Sequence, residues 1–257
     1  MTDLSQYQNK YKSIRFRRED GVLEMVLHTD GGSLQWGLTP HAEVTDAFRD
    51  IAGDRENRVV LLTGTGAEFS GPRVIAGPGN PLFPTRPTAT FTENLLAESR
   101  RLLMNMLDIE VPIVSAVNGP AWRHSEMPLL ADIVLASTTA AFQDSAHFQG
   151  GVVPGDGVHV VYPMLMGMNR ARYFLYTGQT IAADEALRLG LVAEVLPPDQ
   201  LLARAWEHAR SLAQKPSVLV RHTRSLLVEP IRRQMQEYLT LGLYNECLGL
   251  MDRPDPK

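Results

Sequence analysis

Ile14 and Phe16 alternate with arginines in SIRFRRED, and the apolar run GVLEMVLHT follows after Asp20-Gly21. Two strand-like runs on either side of an Asp-Gly dipeptide predict a β-hairpin. In LTPHAEVTDAFRDIAGD the period changes: Val44, Ala47, Phe48 and Ile51 recur at helical spacing. Thr39 suits the N-cap of that helix, Pro40 its first helical position and Gly53 its exit. RVVLLTGTG is a short, wholly apolar run ending in glycines, the pattern of an interior strand in a parallel sheet. Residues 67–90, AEFSGPRVIAGPGNPLFPTRPTAT, are rich in Gly and Pro and read as a long irregular loop, a kind usually functional or disordered. Beyond it come a helix (TENLLAESRRLLMNMLDIE), a strand (VPIVSAVNG), a short helix near EMPLLA, and a strand (DIVLAS). AFQDSAHFQGGVVPGDG is mostly loop, and from VHVVYPMLMG onward the pattern is mainly helical. TIAADEALRLGLVAEVL reads as a helix stopped by Gly190, then a short strand. Strands alternating with helices, then a helical last third, point to an α/β fold with a mainly parallel sheet.

Composition narrows the class. The 257 residues are 44% apolar and 21% charged, ordinary for a globular chain able to fold without disulfides. Cys247 is the single cysteine, so it forms no internal bridge, and it reads as helix packing in a reducing compartment. No run approaches the ~20 apolar residues of a membrane span. The polar start MTDLSQYQNKYKS lacks the apolar stretch of a secretory signal. These features imply a cytoplasmic protein. A net charge of −4 favours neither nucleic acid nor anionic lipid as a partner.

Candidate chemistry concentrates in two stretches. In HFQGGVVPGDG, residues 147–157, glycines and Pro154 force tight turns that could bring His147 and Asp156 together. A carboxylate holding one imidazole nitrogen leaves the other free to take a proton from water. In the alternative, Asp156 caps the next helix and His147 faces solvent. In NGPAWRHSEMP, His124 at the end of a strand could donate to a developing oxyanion, or be an ordinary loop histidine. Trp36 and Phe83 could be pocket walls or singly exposed aromatics. Glu246, an acid amid apolar residues of TLGLYNECLGLM, is either an exposed helix residue or a pocket group that needs a partner. His28 and His159 read as structural, while His208 and His222 lie on solvated helix faces. There is no P-loop, G-x-S-x-G or H-E-x-x-H, and the histidines lack metal-ligand clustering. The expected cofactor is therefore none, and the expected metal none.

Taken together, RVVLLTGTGAEFS, VPIVSAVNGPAW, DIVLASTTAAFQD, GVVPGDG and TGQTIAADEALRLGLVAEVL resemble the crotonase (enoyl-CoA hydratase/isomerase) superfamily across nearly the whole chain. The resemblance implies a spiral of ββα units over residues 1–196 and a helical oligomerisation region over 197–257, assembled as homotrimers or pairs of trimers. At the two places where that superfamily gathers backbone N–H groups around a CoA thioester, this chain reads FSGPRVIAGPG and NGPAWRHSEMP. Arg123 and His124 stand where small residues would let the backbone approach. The pattern is similar to 6-oxocamphor hydrolase-like β-diketone hydrolases, through TPH, H-x-E-x-P, FQD, HF, VPGDG-x-HVV and LTLGLYNE. That likeness implies that His147 and Asp156 prepare water, that His124 stabilises an oxyanion, and that Trp36, His41 and Glu246 line the pocket, with Phe83 beside them as a further apolar wall. It implies retro-Claisen hydrolysis of a small apolar cyclic β-diketone to a keto acid. The alternative is a CoA-thioester-dependent crotonase: a hydratase, isomerase or hydrolase.

Overall fold

The computed structural model describes residues 2–73 and 88–251; Phe83 and most of the Gly/Pro-rich stretch lie outside them. After a one-turn helix α1 (Leu4–Tyr7), the hairpin forms as expected from β1 (Ile14–Glu19) and β2 (Val22–Leu27). Asp20 and Gly21 both take positive φ at its tip. The chain continues through α2 (Leu38–Gly53), β3 (Val59–Gly64), α3 (Ala89–Leu107), β4 (Ile113–Val117) and β5 (Ile133–Ser137). The short strands β6 (Ala141–Phe142) and β7 (Ile181–Ala182) bracket α4 (Val158–Met166) and α5 (Met168–Thr177). The end is α6 (Ala183–Arg188), β8 (Glu194–Leu196), α7 (Pro198–Ala213) and α8 (Ser217–Met251).

Six strands form one sheet in the order β1-β2-β3-β4-β5-β8, antiparallel at the hairpin and parallel elsewhere. β3 is apolar throughout because both of its faces are covered. Val60 and Leu62 join the main core with Phe48 and Ile51 of α2 and Leu102, Leu103 and Met106 of α3. Val59 and Leu61 face Leu201, Ala205 and Trp206 of α7. The layers are those of an α/β fold with a mainly parallel sheet and a long C-terminal helix.

One cap differs from expectation. The helix starts at Leu38 with Gly37 as N-cap, and no side chain bonds the cap. The Trp36 backbone N–H bonds the Gly71 carbonyl, so extended backbone runs up to Gly37 and the helix begins two residues early. Thr39 and Pro40 therefore lie inside the first turn. Gly190 does stop α6's run, at φ +76°, and Cys247 is buried.

The C-terminal helix is tied to the sheet by one buried cation. Arg224 of α8 is 3% exposed. It bonds Asp132 at 2.8 Å and donates to the Ile109 carbonyl, while Asp132 accepts the Ile113 N–H at 2.7 Å. Removing one partner of a buried pair strands the other. Arg224→Ala should lower the unfolding free energy in urea by about 3 kcal/mol; a loss below roughly 1 kcal/mol would place Arg224 in water.

Candidate active site

Five separate segments converge on one cleft. Trp36 precedes α2, and His41 lies on that helix. Leu95 and Ser99 come from α3. Arg123 and His124 follow β4. His147 and Asp156 lie in the loop between β6 and α4, and Glu246 comes from α8. The cavity proper measures about 80 Å³ and opens to solvent through its mouth. The cleft thus brings together Trp36, His41, His124, His147, Asp156 and Glu246.

The loop after β6 carries the central imidazole. His147 is 4% exposed and Asp156 7%, so neither faces solvent. Gly157, not Asp156, is the N-cap residue of α4, and no side chain bonds that cap. Which carboxylate steers His147 differs from the sequence expectation. Nδ1 lies 2.6 Å from Asp144 Oδ1. Asp156 Oδ2 lies on the other side, 3.4 Å from Nε2, with Glu246 Oε1 at 3.6 Å. Asp144, three residues before His147 in FQDSAH, therefore holds the tautomer, because a one-turn 3-10 helix (Phe148–Gly150) turns the ring back onto its own loop. That local spacing was available in the sequence, whereas the Gly-rich loop drew attention forward to Asp156.

His124 is held in a conformation that L residues rarely adopt. Its φ is +46°, the left-handed region that glycine enters freely. The flanking backbone is locked by Ser70, whose hydroxyl donates to the Arg123 carbonyl at 2.6 Å, and by the Met127 N–H on the His124 carbonyl at 3.0 Å. The imidazole lies against Trp36, ring centroids 4.5 Å apart, with His41 at 5.3 Å. Its Nδ1 lies 2.9 Å from Glu126 Oε1 and 3.4 Å from Asp156 Oδ2. His41 Nδ1 pairs with Glu98 of α3 at 2.7 Å. The sequence reading includes Glu126 in H-x-E-x-P without a role, and it does not single out Glu98. Glu126 carried a local signal, two residues from His124; Glu98 carried none, being 57 positions from its partner.

Glu246 reaches the cleft because two backbones nearly touch. A Cβ on Gly242 would lie 2.5 Å from the Gly155 carbonyl and 2.2 Å from the His159 ring. This approach seats α8 against the loop that carries Asp156, and it answers the open question about Glu246: it is an inward-facing group. His28 and His159 have backbone partners, the Gly31 N–H and the Tyr238 carbonyl. His208 pairs with Glu194, and His222 is exposed.

Burying this many ionisable groups moves their proton affinities. Burial opposes charge on His147, but Asp144, Asp156 and Glu246 together outweigh it and raise its pKa well above the ordinary value. Burial raises Asp156 to about 7 and Glu126 to about 8. Burial lowers His124 and His41. Burial would raise Asp144, yet the attraction of His147 leaves it lowered. Among the described residues, His124, Glu126 and Asp156 have donor atoms within 4.8 Å of one another and so could hold a cation. Three ligands are one short of a closed structural zinc site.

Residues 18–245 match the model of the enoyl-CoA hydratase/isomerase family, and the chain belongs to it. It is an enzyme of the crotonase superfamily. A probable peroxisomal enoyl-CoA hydratase of Arabidopsis thaliana is 27% identical over 89% of this chain and 83% of its own. A probable enoyl-CoA hydratase of Mycobacterium tuberculosis is 32% identical over 65% of this chain and 60% of its own. The structure is similar to that of ABDH, a β-diketone hydrolase from the cyanobacterium Anabaena sp. PCC 7120 bound to (S)-3-oxocyclohexyl acetic acid. The two are 42% identical, with TM-score 0.91, over 96% of this chain and 97% of that one. No helix among the described residues is long and apolar enough to cross a membrane.

Close packing at Gly242 can be tested. Gly242→Ala should cost about 1–3 kcal/mol of stability in urea, as overpacking does. Gly249→Ala on the same helix, whose added Cβ would stand 3.1 Å from the Val153 backbone nitrogen, should cost clearly less, because the milder crowding is partly offset by the gain in helix propensity. Equal effects would mean that α8 is not seated on the loop at Gly155.

Proposed function

We propose that this enzyme hydrolyses the carbon–carbon bond between the two carbonyls of a small cyclic β-diketone, giving a keto acid. The observation that carries the proposal is His147, anchored at Nδ1 by Asp144 and turned at Nε2 into a buried cleft opposite His124. The likeness to a β-diketone hydrolase at 42% identity supports it. The family's enoyl-CoA relatives favour a second reading, turnover of a CoA thioester. Against that reading, Arg123 and His124 occupy the place where glycines would open the backbone to a thioester, and Pro72 after Ser70-Gly71 has no N–H to offer.

His147 takes a proton from water at Nε2, which needs Nδ1–H, the tautomer that an Asp144 carboxylate enforces. Asp156 and Glu246 flank Nε2 at 3.4 and 3.6 Å, beyond ordinary hydrogen bonds, and each keeps a buried oxygen with no partner among the described residues that can hold the water. Hydroxide adds to one carbonyl carbon. The tetrahedral adduct then breaks the bond to the carbon between the carbonyls, and that electron pair moves onto the second carbonyl as an enolate. His124 Nε2–H and the Trp36 indole N–H, which has no partner among the described residues, hydrogen-bond the enolate oxygen. Protonation of carbon through His124 or water, and return of the proton on His147, close the cycle. His41 and Trp36 shape an apolar wall. The chemistry routes no step through metal or acyl carrier. The exposed apolar side chains of α8, among them Leu226, Leu227, Leu241 and Leu248, support assembly as a trimer or paired trimers.

A small panel of cyclohexane-1,3-diones and bicyclic diketones should yield keto acids carrying one heavy oxygen in ¹⁸O-water by mass spectrometry. Turnover of crotonyl-CoA with every diketone inert would overturn the proposal in favour of the second reading. His147→Ala should lower kcat by about 10²–10⁴, and Asp144→Asn by a similar order because the tautomer is lost. A full-rate Asp144→Asn enzyme would remove Asp144 from the account. Dialysis against EDTA should leave the rate unchanged; a loss restored by one divalent metal would assign the His124, Glu126 and Asp156 cluster to a cation instead.

A further inference from the structure

Glu126 takes no part in the steps above, yet it is fully buried, with 0% exposure. Its Oε1 lies 2.9 Å from His124 Nδ1, and its Oε2 has no partner among the described residues. Asp156 Oδ2 stands farther off, 3.4 Å from the same nitrogen and outside hydrogen-bond range, so the protonation of Glu126 decides what His124 can do. If Glu126 is ionised, it must accept from Nδ1–H, and a neutral ring then presents a bare lone pair at Nε2. A lone pair repels an enolate. If Glu126 keeps its proton, its O–H donates to Nδ1, and the hydrogen of the ring must sit on Nε2.

The surroundings favour the second state. An ionised carboxyl would be held out of water with one oxygen unpaired, which costs more than leaving one neutral oxygen unpaired. The groups facing Glu126 are mostly acids. His147 and Asp144 come from the loop after β6, Asp156 from the turn before α4, and Glu246 from α8; the His147 charge opposes a proton on Glu126, and burial outweighs it. Ser125 beside it is bonded to Tyr162 of α4 at 2.7 Å. We propose that Glu126 is a positioning residue that keeps its proton and donates it to His124 Nδ1, fixing the ring as the Nε2–H tautomer. The destination of that Nε2–H, the enolate, rests on the function proposed above; the tautomer itself does not. Burial pushes Glu126 up to about 8 and pushes His124 down, which keeps both neutral near pH 7. Above about pH 8 the carboxyl ionises, Nδ1 takes the ring hydrogen, and the donor at Nε2 is lost.

The test is the ¹⁵N spectrum of the full-length protein labelled at histidine, with the His124 signals identified by their loss in His124→Ala. At pH 7 the wild type should show a protonated Nε2 and a bare Nδ1. A protonated Nδ1 at pH 7 would overturn the proposal. Because no substrate is present, that outcome stands apart from whether diketones are opened. Glu126→Gln can donate an amide N–H to Nδ1 and does not titrate. It should keep the Nε2–H tautomer and kcat within about 3-fold, and the fall in kcat near pH 8 should disappear. Persistence of that alkaline fall in Glu126→Gln would also overturn the proposal. Glu126→Leu, where it folds, should lower kcat by about 10²–10³, the cost of one oxyanion donor, with little change in KM.

Discussion

The site depends on one hydrogen bond, His147 Nδ1 to Asp144 at 2.6 Å, made out of reach of water. In water such a contact is worth little. Buried, it decides which nitrogen of the ring carries hydrogen, and it keeps a positive ring affordable among carboxylates. Every other polar group of the cleft is arranged relative to that ring. Asp156 and Glu246 face its free nitrogen, and His124 lies across the cleft against Trp36. On the proposed mechanism, losing the bond would leave the residues in place but not the base.

The fold supplies this arrangement by bringing distant segments together at the ends of parallel strands. β4 delivers His124 through a strained turn, β5 and β6 lead to His147, and α8 returns from the far end of the chain with Glu246. Two features keep α8 in place: Arg224 anchors it to Asp132, and Gly242 lets it lie against Gly155. At the left-handed position of His124 a glycine would leave the space open, whereas histidine fills it with a side chain able to donate or accept. This chain accepts the strain of φ +46° to place an imidazole at the cleft.

Much of this was legible in the sequence, for identifiable reasons. The hairpin, the apolar strands and the stop at Gly190 follow from local patterns that tertiary contacts do not override. Trp36, His124, His147, Asp156 and Glu246 are candidates on local pattern, with their roles and His41 added by the family likeness, and the structure gathers all six at one cleft. Their partners were harder to read. Asp144 lay three residues from His147, yet a carboxylate at that spacing is common in turns. Glu126 sits beside His124 in sequence, but nothing local tells that both are buried. Glu98 meets His41 only because α2 and α3 pack together. Burial, not residue type, separates a functional acid from an ordinary one, and burial is a property of the assembled core.

The most direct measurement is the pH dependence of kcat/KM for diketone opening, in the wild type and in Asp144→Asn. The limb that rises from acid reports the proton that must leave His147 in the free enzyme. With three carboxylates holding that proton on the ring, the wild-type midpoint should lie above the ordinary histidine value of about 6.5, and loss of the Asp144 charge should move it to lower pH. A wild-type midpoint at or below about 6.5, unmoved by Asp144→Asn, would contradict the claim that a buried His147 steered by Asp144 is the base.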